Sequence, residues 1–323
     1  MTIFSVKYKE NNVVNFMEHK VGHGFANGTF GELLQGILPN HRSFMVTFPI
    51  NLFSYATFVP NNLTSLLSIH PRTKKKSAIM AKLILEYFQI HIGGSLTINS
   101  EIPEGKGLAS SSADLVATAY ALQDSLDLPL DANLIAKFIA AIEPTDGVMY
   151  PGATSFYYKE GQLKESIASL PDISIIAIDE GSSIDTLRYN NIKKSYTPFC
   201  ASKYEHLLAT LTQAIKDGDL ETIGQISTES ALMNQKHNCK SFLKVMLDLC
   251  KKINGLGVAV AHSGTFIGIL LEPNSKNFAS QKDFCFSIMK QHGKVAQTFN
   301  TLVFSETHPV RKDFEIKKKD YVC

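Results

Sequence analysis

The sequence has no CxxC pair, and its cysteines, Cys200, Cys239, Cys250, Cys285 and Cys323, are odd in number. That argues against a disulfide framework or a zinc site and fits a reducing cytosol. No apolar run reaches the ~18 residues that a membrane span needs. The opening stretch from Met1 to Glu10 lacks the apolar core of a signal peptide. Charge of one sign is missing too: a formal net charge of +2 over 323 residues gives no reason to expect nucleic acid or a membrane surface as partner. Two Lys-rich pieces, Lys74-Lys75-Lys76 and Lys317-Lys318-Lys319, are short and read as solvated loop and tail. There is no obvious repeat and no low-complexity tract. The expectation is a soluble cytoplasmic protein with a small-molecule ligand; oligomeric state is not legible, and a homodimer is compatible with the sequence.

What is present is an ordinary globular composition, 44% hydrophobic and 19% charged, with length enough for two cores. Strand-like segments are expected at Ser43 to Phe48 and Leu52 to Val59, separated by Pro49, and at Gly94 to Ile102, Gly152 to Tyr158 and Ile173 to Asp179. Helical spacing marks Ser77 to Phe88 and Asp131 to Ile142, the latter with Asp131 as cap and Pro144 as stop. From Ser202 onward the pattern changes. Helical stretches at Lys203 to Lys216, Leu220 to Met233 and Lys240 to Ile253 precede strands at Val258 to Ala261 and Phe266 to Leu271. A helix from Asn277 to Gln291 and a strand from Ala296 to Ser305 follow, a split β-α-β layer with helices on one face. The expected division is an α+β pair of domains, residues 1–195 and 196–323.

The stretch with the clearest chemistry is Pro103-Glu104-Gly105-Lys106-Gly107-Leu108-Ala109-Ser110-Ser111-Ser112-Ala113, between an expected strand and an expected helix, Ala113 to Leu126. Gly105 and Gly107 admit positive φ and let phosphate oxygens approach main-chain N–H groups. The serines add hydroxyls at a helix start, where N–H groups lack intrahelical partners and the dipole favours an anion by about 0.3–1 kcal/mol. Residues 103–112 are therefore expected to bind polyphosphate. The loop is neither a Walker A loop nor a Rossmann fingerprint, because its glycines and lysine stand at the wrong offsets. A serine-capped surface turn is the bland alternative.

Two further segments carry candidate chemistry. In Glu143-Pro144-Thr145-Asp146-Gly147, two carboxylates flank a rigid turn just beyond a helix. Phosphoryl transfer needs Mg²⁺ on the phosphates and a group that orients or deprotonates the attacking hydroxyl. Asp146 is the candidate for the second role, while Glu143 is expected to share the metal with Ser111. Residues 22–36, rich in glycine around Glu32 and Gln35, suggest a backbone bent around a ligand, with a glycine-rich hairpin as the alternative. Late in the chain, His262, Ser263 and Gly264 lie at a strand exit, where a Ser-Gly turn can place N–H groups near an anion. These three, with Glu32 and Gln35, are the candidate substrate contacts. A lone His in such a place is more often structural.

The Pro103 to Ala113 loop resembles the second motif of the GHMP kinases, Pro-x-x-x-Gly-Leu-x-Ser-Ser before a helix. The glycine-rich N-terminal segment and the late turn stand in the same order as in that family. In detail the chain is similar to the L-threonine kinases of cobalamin side-chain synthesis at residues 31–36, 105–114, 142–146, 184–187 and 261–264. The resemblance implies an N-terminal domain of the ribosomal-protein-S5 domain 2 type, a ferredoxin-like C-terminal domain, and ATP with Mg²⁺ in the cleft between them. It implies phosphorylation of a small amino acid's hydroxyl, with L-threonine the expected acceptor. Alternatives are another small alcohol (homoserine, mevalonate or a sugar) and a non-catalytic nucleotide or metabolite sensor. The chain departs from many members at Ala26 to Phe30, which has no Lys or Arg, and its third motif is poorer in glycine.

Overall fold

A computed structural model of the chain describes residues 19–181 and 197–304. The expectations at 184–187, at Lys317 to Lys319 and for most of the N-terminal lead-in lie outside those residues. Strand β1 (Gly22–Ile37) pairs antiparallel along β2 (Ser43–Asn61). The other edge of β2 takes β4 (Gly93–Ser100) at one end and β5 (Ala153–Tyr157) at the other. Short outer strands β3 (Leu67–His70) and β6 (Gln162–Ala168) complete this six-stranded sheet.

Helix α1 (Lys75–Tyr87) connects β3 to β4, and α2 (Ser110–Leu126) runs against β1. The close approach of α2 explains two of the glycines in β1. A Cβ on Gly24 would lie 2.2 Å from the Ala117 carbonyl oxygen, and one on Gly22 would lie 2.1 Å from that of Ala121. The glycine-rich segment is thus a long strand with register shifts, and not a backbone wrapped on a ligand. Pro49 does not divide β2 as the sequence suggested. It sits opposite Thr29, next to one of those shifts, where the loss of one N–H donor is tolerated.

Helix α3 (Ala132–Ala140) begins at Asp131, whose carboxylate accepts from the Leu134 N–H at 2.7 Å, as its cap reading required. The second sheet, in the order β10-β7-β9-β8, joins β7 (Ser174–Asp179), β8 (Gly257–Val260), β9 (Phe266–Leu271) and β10 (Ala296–Asn300), all antiparallel. It is accompanied by α4 (Pro198–Asp217), α5 (Leu220–Asn234), α6 (Leu243–Lys252) and α7 (Phe278–Gln291). Alternation along β7 decides which core each residue enters. Ile175 and Ala177 join the large core shared with the first sheet, while Ile176 and Ile178 join a smaller one with Met246 of α6 and Met289 of α7.

β7 precedes residue 195 yet pairs only within the second sheet. We propose that the domains divide between β6 and β7 rather than at 195/196. An aromatic junction ties the layers together. Phe30 of β1 lies 6.3 Å from Phe48, 6.1 Å from Phe266 of β9 and 5.4 Å from Phe299 of β10. A buried aromatic of this kind contributes about 1.5–3 kcal/mol through apolar burial alone.

Candidate active site

Helix α2 starts at Ser110, three residues earlier than its alanine-rich sequence suggested, so the three serines are its first turn. Its cap residue Ala109 is left-handed (φ 61°) and offers no side-chain cap bond, and no acidic residue stands in the first turn. The initial N–H groups are therefore left for something outside the helix. The preceding loop is held by its carbonyls. Leu108 accepts from the Thr29 N–H at 3.1 Å, Gly107 from Gly31 at 3.2 Å and Lys106 from Thr265 at 3.1 Å. In a trans peptide the N–H points opposite to its carbonyl. Anchoring those three carbonyls in the protein turns the N–H groups of Gly107, Leu108 and Ala109 the other way.

Two glycines make that anchoring feasible. Gly107 has φ 77°, and its Cα faces Gly264, where a Cβ would come within 2.6 Å of the Gly264 Cα. A Cβ on Gly264 would lie 2.0 Å from the Lys106 carbonyl oxygen. The late turn and the phosphate-type loop are thus packed backbone to backbone.

The loop borders a cleft of about 460 Å³ that Lys74, Lys76, Ser111, Glu143, Asp146 and Ser263 also line. Pro103 and Ser110 flank the loop, and Lys106 forms a 2.6 Å ion pair with Asp179 at the end of β7. Ser111 donates its hydroxyl to Glu143, and Lys76 pairs with the other oxygen of that carboxylate. Ser112 donates to Asp146 at 3.0 Å and accepts from the Asp146 N–H at 3.3 Å and from the Thr145 hydroxyl at 3.3 Å. Burial pushes the Asp146 carboxyl up to about 7, and the charges of Glu32 and Glu143 add to the shift against the opposing Ser112 bond.

The sequence reading missed the lysines. Lys74 and Lys76 line the cleft and are each paired with a carboxylate there. Lys74 is nearly enclosed, bonded to Asp114 at 2.6 Å and to Glu104 at 2.5 Å, while Ser54 donates to the other Asp114 oxygen at 2.5 Å. Burial opposes its ammonium, but the bonds to Asp114 and Glu104 outweigh it, and its pKa is raised. The signal was available: lysines crowd the N-terminus of α1, where the helix dipole disfavours cations. A local choice that opposes the local rule marks a functional place.

The other candidates lie behind the late turn. Glu32 and His262 are sealed, with the Glu32 carboxylate accepting from the His262 backbone N–H at 3.2 Å and facing its Nδ1 at 2.9 Å; Nε2 meets the Ser230 hydroxyl at 2.9 Å. Buried Gln35 has an Oε1 without a partner among the described residues. Lys240, which the sequence did not single out, is buried and donates to the Gly264 carbonyl; burial lowers its pKa to about 8 against the pull of Glu180, Glu32 and Asp179. Ser263 alone of the late-turn trio lines the cleft.

Among the described residues no group of three or more His, Cys, Asp or Glu could cage a metal, and no helix is long and apolar enough to cross a membrane. Mg²⁺ does not require such a cage, since it commonly uses one or two carboxylates and takes its other oxygens from water and phosphate. The hard oxygens of Ser111 and Glu143 fit that requirement, and a cation, the Lys76 ammonium, already engages Glu143.

Comparison with known proteins agrees with this geometry. Residues 74–154 match the family model described as GHMP kinases N terminal domain. An L-threonine kinase of Salmonella typhimurium is 27% identical over 265 residues, covering 78% of this chain and 83% of the relative. One of Citrobacter freundii is 27% identical over 252 residues, covering 76% and 84%. Among solved structures, a homoserine kinase from Cytophaga hutchinsonii superposes with a TM-score of 0.70 at 14% identity, covering 90% of this chain and 98% of that one. The α+β fold expected from the motifs is the one observed, the match over residues 74–154 is to the GHMP kinase N-terminal domain, and the chain is an ATP-dependent small-molecule kinase.

Proposed function

We propose that this enzyme transfers the terminal phosphoryl group of ATP to the side-chain hydroxyl of L-threonine, giving O-phospho-L-threonine and ADP. The observation that carries the reading is Ser112. One residue both belongs to the first turn of the phosphate-facing helix and holds Asp146, so the phosphate cradle and the group that receives the hydroxyl proton are positioned together. The acceptor as threonine is supported by the names of the two curated relatives.

In this reading residues 103–112 hold the nucleotide phosphates through main-chain N–H groups and the serine hydroxyls. Ser111 and Glu143 hold Mg²⁺, which when bound neutralises charge on the phosphate oxygens. Asp146 takes the proton from the acceptor hydroxyl as its oxygen bonds to phosphorus and the bond to ADP breaks. A carboxyl titrating near 7 is suited to that exchange at neutral pH. Ser263 contacts the acceptor from the cleft wall, and Gln35 lies buried behind it. Glu32, His262 and Gly264 shape the wall on that side. The free cysteines Cys200, Cys239, Cys250 and Cys285 suit the cytoplasm, the compartment we assign.

The test is an acceptor panel with ATP and Mg²⁺, read by ADP release and by mass spectrometry. L-Threonine should give the highest kcat/KM and a phosphorylated product. Turnover of homoserine, mevalonate or a sugar in preference to threonine would replace the acceptor and leave the kinase. Nucleotide binding without turnover of any acceptor would favour a sensor.

A further inference from the structure

Lys76 is a charged cleft residue to which neither the sequence nor the reading above gives a task. It stands at the second position of α1, where its charge opposes the helix dipole. Its side chain is 42% exposed, yet its ammonium is paired with a Glu143 side chain that is only 7% exposed. The other oxygen of Glu143 holds the Ser111 hydroxyl of the first turn of α2. One carboxylate is thus shared by a lysine and a phosphate-loop serine, at the position expected to take a divalent cation.

The neighbouring cations are differently committed. Lys74 is bound by two carboxylates, and Lys106 is paired with Asp179. Lys76 differs in that its one carboxylate is the proposed metal ligand. Glu143 cannot direct the same oxygen at both an ammonium and a metal ion without competition. A polyphosphate arriving in the cleft would offer the displaced ammonium a new set of oxygens. Bonds between an ammonium and an anionic oxygen contribute about twice as much as neutral ones.

We propose that Lys76 is a transferable cation of this kinase. In the empty cleft it is held by Glu143, and it moves from that carboxylate to a phosphate oxygen of the nucleotide when Glu143 engages a divalent cation. This rests on the phosphoryl-transfer reading of the cleft. Lys76 then has two opposed effects: it weakens metal binding in the absence of nucleotide and strengthens the binding of metal–nucleotide.

The test measures both effects on the full chain carrying Lys76→Met, with Lys76→Arg as the charge-conserving variant and Lys82→Met, further along α1, as control. Mn²⁺ alone, followed by electron paramagnetic resonance, should bind Lys76→Met several-fold more tightly than wild type. By calorimetry, Mn²⁺ with a non-hydrolysable ATP analogue should bind the same variant roughly 10-fold or more weakly, the size expected for a lost charged hydrogen bond. Lys76→Arg should restore most of the analogue affinity, and Lys82→Met should match wild type in both assays. Effects of the same sign in the two assays, or no change in either, would overturn the proposal while leaving the kinase reading intact. If the wild type binds no analogue at all, the phosphoryl-transfer reading fails, and the proposal with it.

Discussion

Asp146 and Glu32 are both carboxylates in confined places, close enough for the charge of one to raise the pKa of the other, but their partners differ. Glu32 faces the His262 ring and the His262 backbone N–H inside a sealed layer. The Asp146 carboxylate accepts from the Ser112 hydroxyl, whose oxygen in turn accepts from the Asp146 N–H; it is paired with no cation among the described residues, and it opens on the cleft. A buried carboxylate with one donor and no cation, as at Asp146, gains a pKa near neutrality and can receive a proton. The same logic separates the lysines. Lys74, between two carboxylates, is a fixed brace, and Lys240, buried against a carbonyl, is held with a lowered pKa.

The sharpest way to break that contrast is Asp146→Asn. Turnover with the preferred acceptor should fall by about 10²–10⁴, the usual contribution of general-base help, with nucleotide affinity within about twofold of wild type. Because the folded pKa is raised, the ionised carboxylate costs the native state stability above pH 7. The same variant should therefore raise Tm at pH 8 by roughly 2–4 °C. Unchanged kcat would remove Asp146 from the chemistry.

Next in size is Gly107→Ala. It forces a side chain into a left-handed residue against Gly264, at a cost on the order of 1–3 kcal/mol. The KM for ATP should rise about tenfold while the acceptor KM moves little. An equal rise in both would mean that the loop does not belong to the nucleotide alone.

Glu32→Gln tests the coupling itself. Removing a charge that holds the Asp146 pKa up should move the acid limb of the kcat/KM profile, near pH 7 in wild type, to lower pH. A limb that stays in place would show that Glu32 and Asp146 do not communicate.

The smallest effect is expected from Lys240→Met. The folded lysine loses its proton near pH 8 and the unfolded one near 10.5. Between those values the unfolded chain holds more protons, so this lysine makes wild-type stability rise with pH. Denaturant titrations at pH 8 and 9.5 should show that contribution as a difference between wild type and the variant. Parallel behaviour would contradict the lowered pKa.

Much of the fold follows from local pattern. The 3.6-residue spacing in α1 and α3 and the apolar runs of β7 and β9 were legible because each element buries a face set by its own period. The loop of residues 103–112 was legible because glycine and serine in that order are costly unless backbone N–H groups are needed. Short edge strands escaped: β3 spans four residues, and β6 alternates exposed polar residues that carry little apolar signal. The membership of β7 in the second sheet also escaped, because strand pairing across some 90 residues leaves no trace in a local window.

The sequence by itself determined most of the helices and the central strands, and that a glycine–serine loop precedes a helix, since propensity, periodicity and glycine sterics act over a few residues. Only the tertiary structure decided that Lys76 meets Glu143, that Ser112 holds Asp146, and that Gly264 presses on Gly107. Those depend on distance and on loss of solvent, which turn ordinary carboxylates and lysines into groups with different tasks.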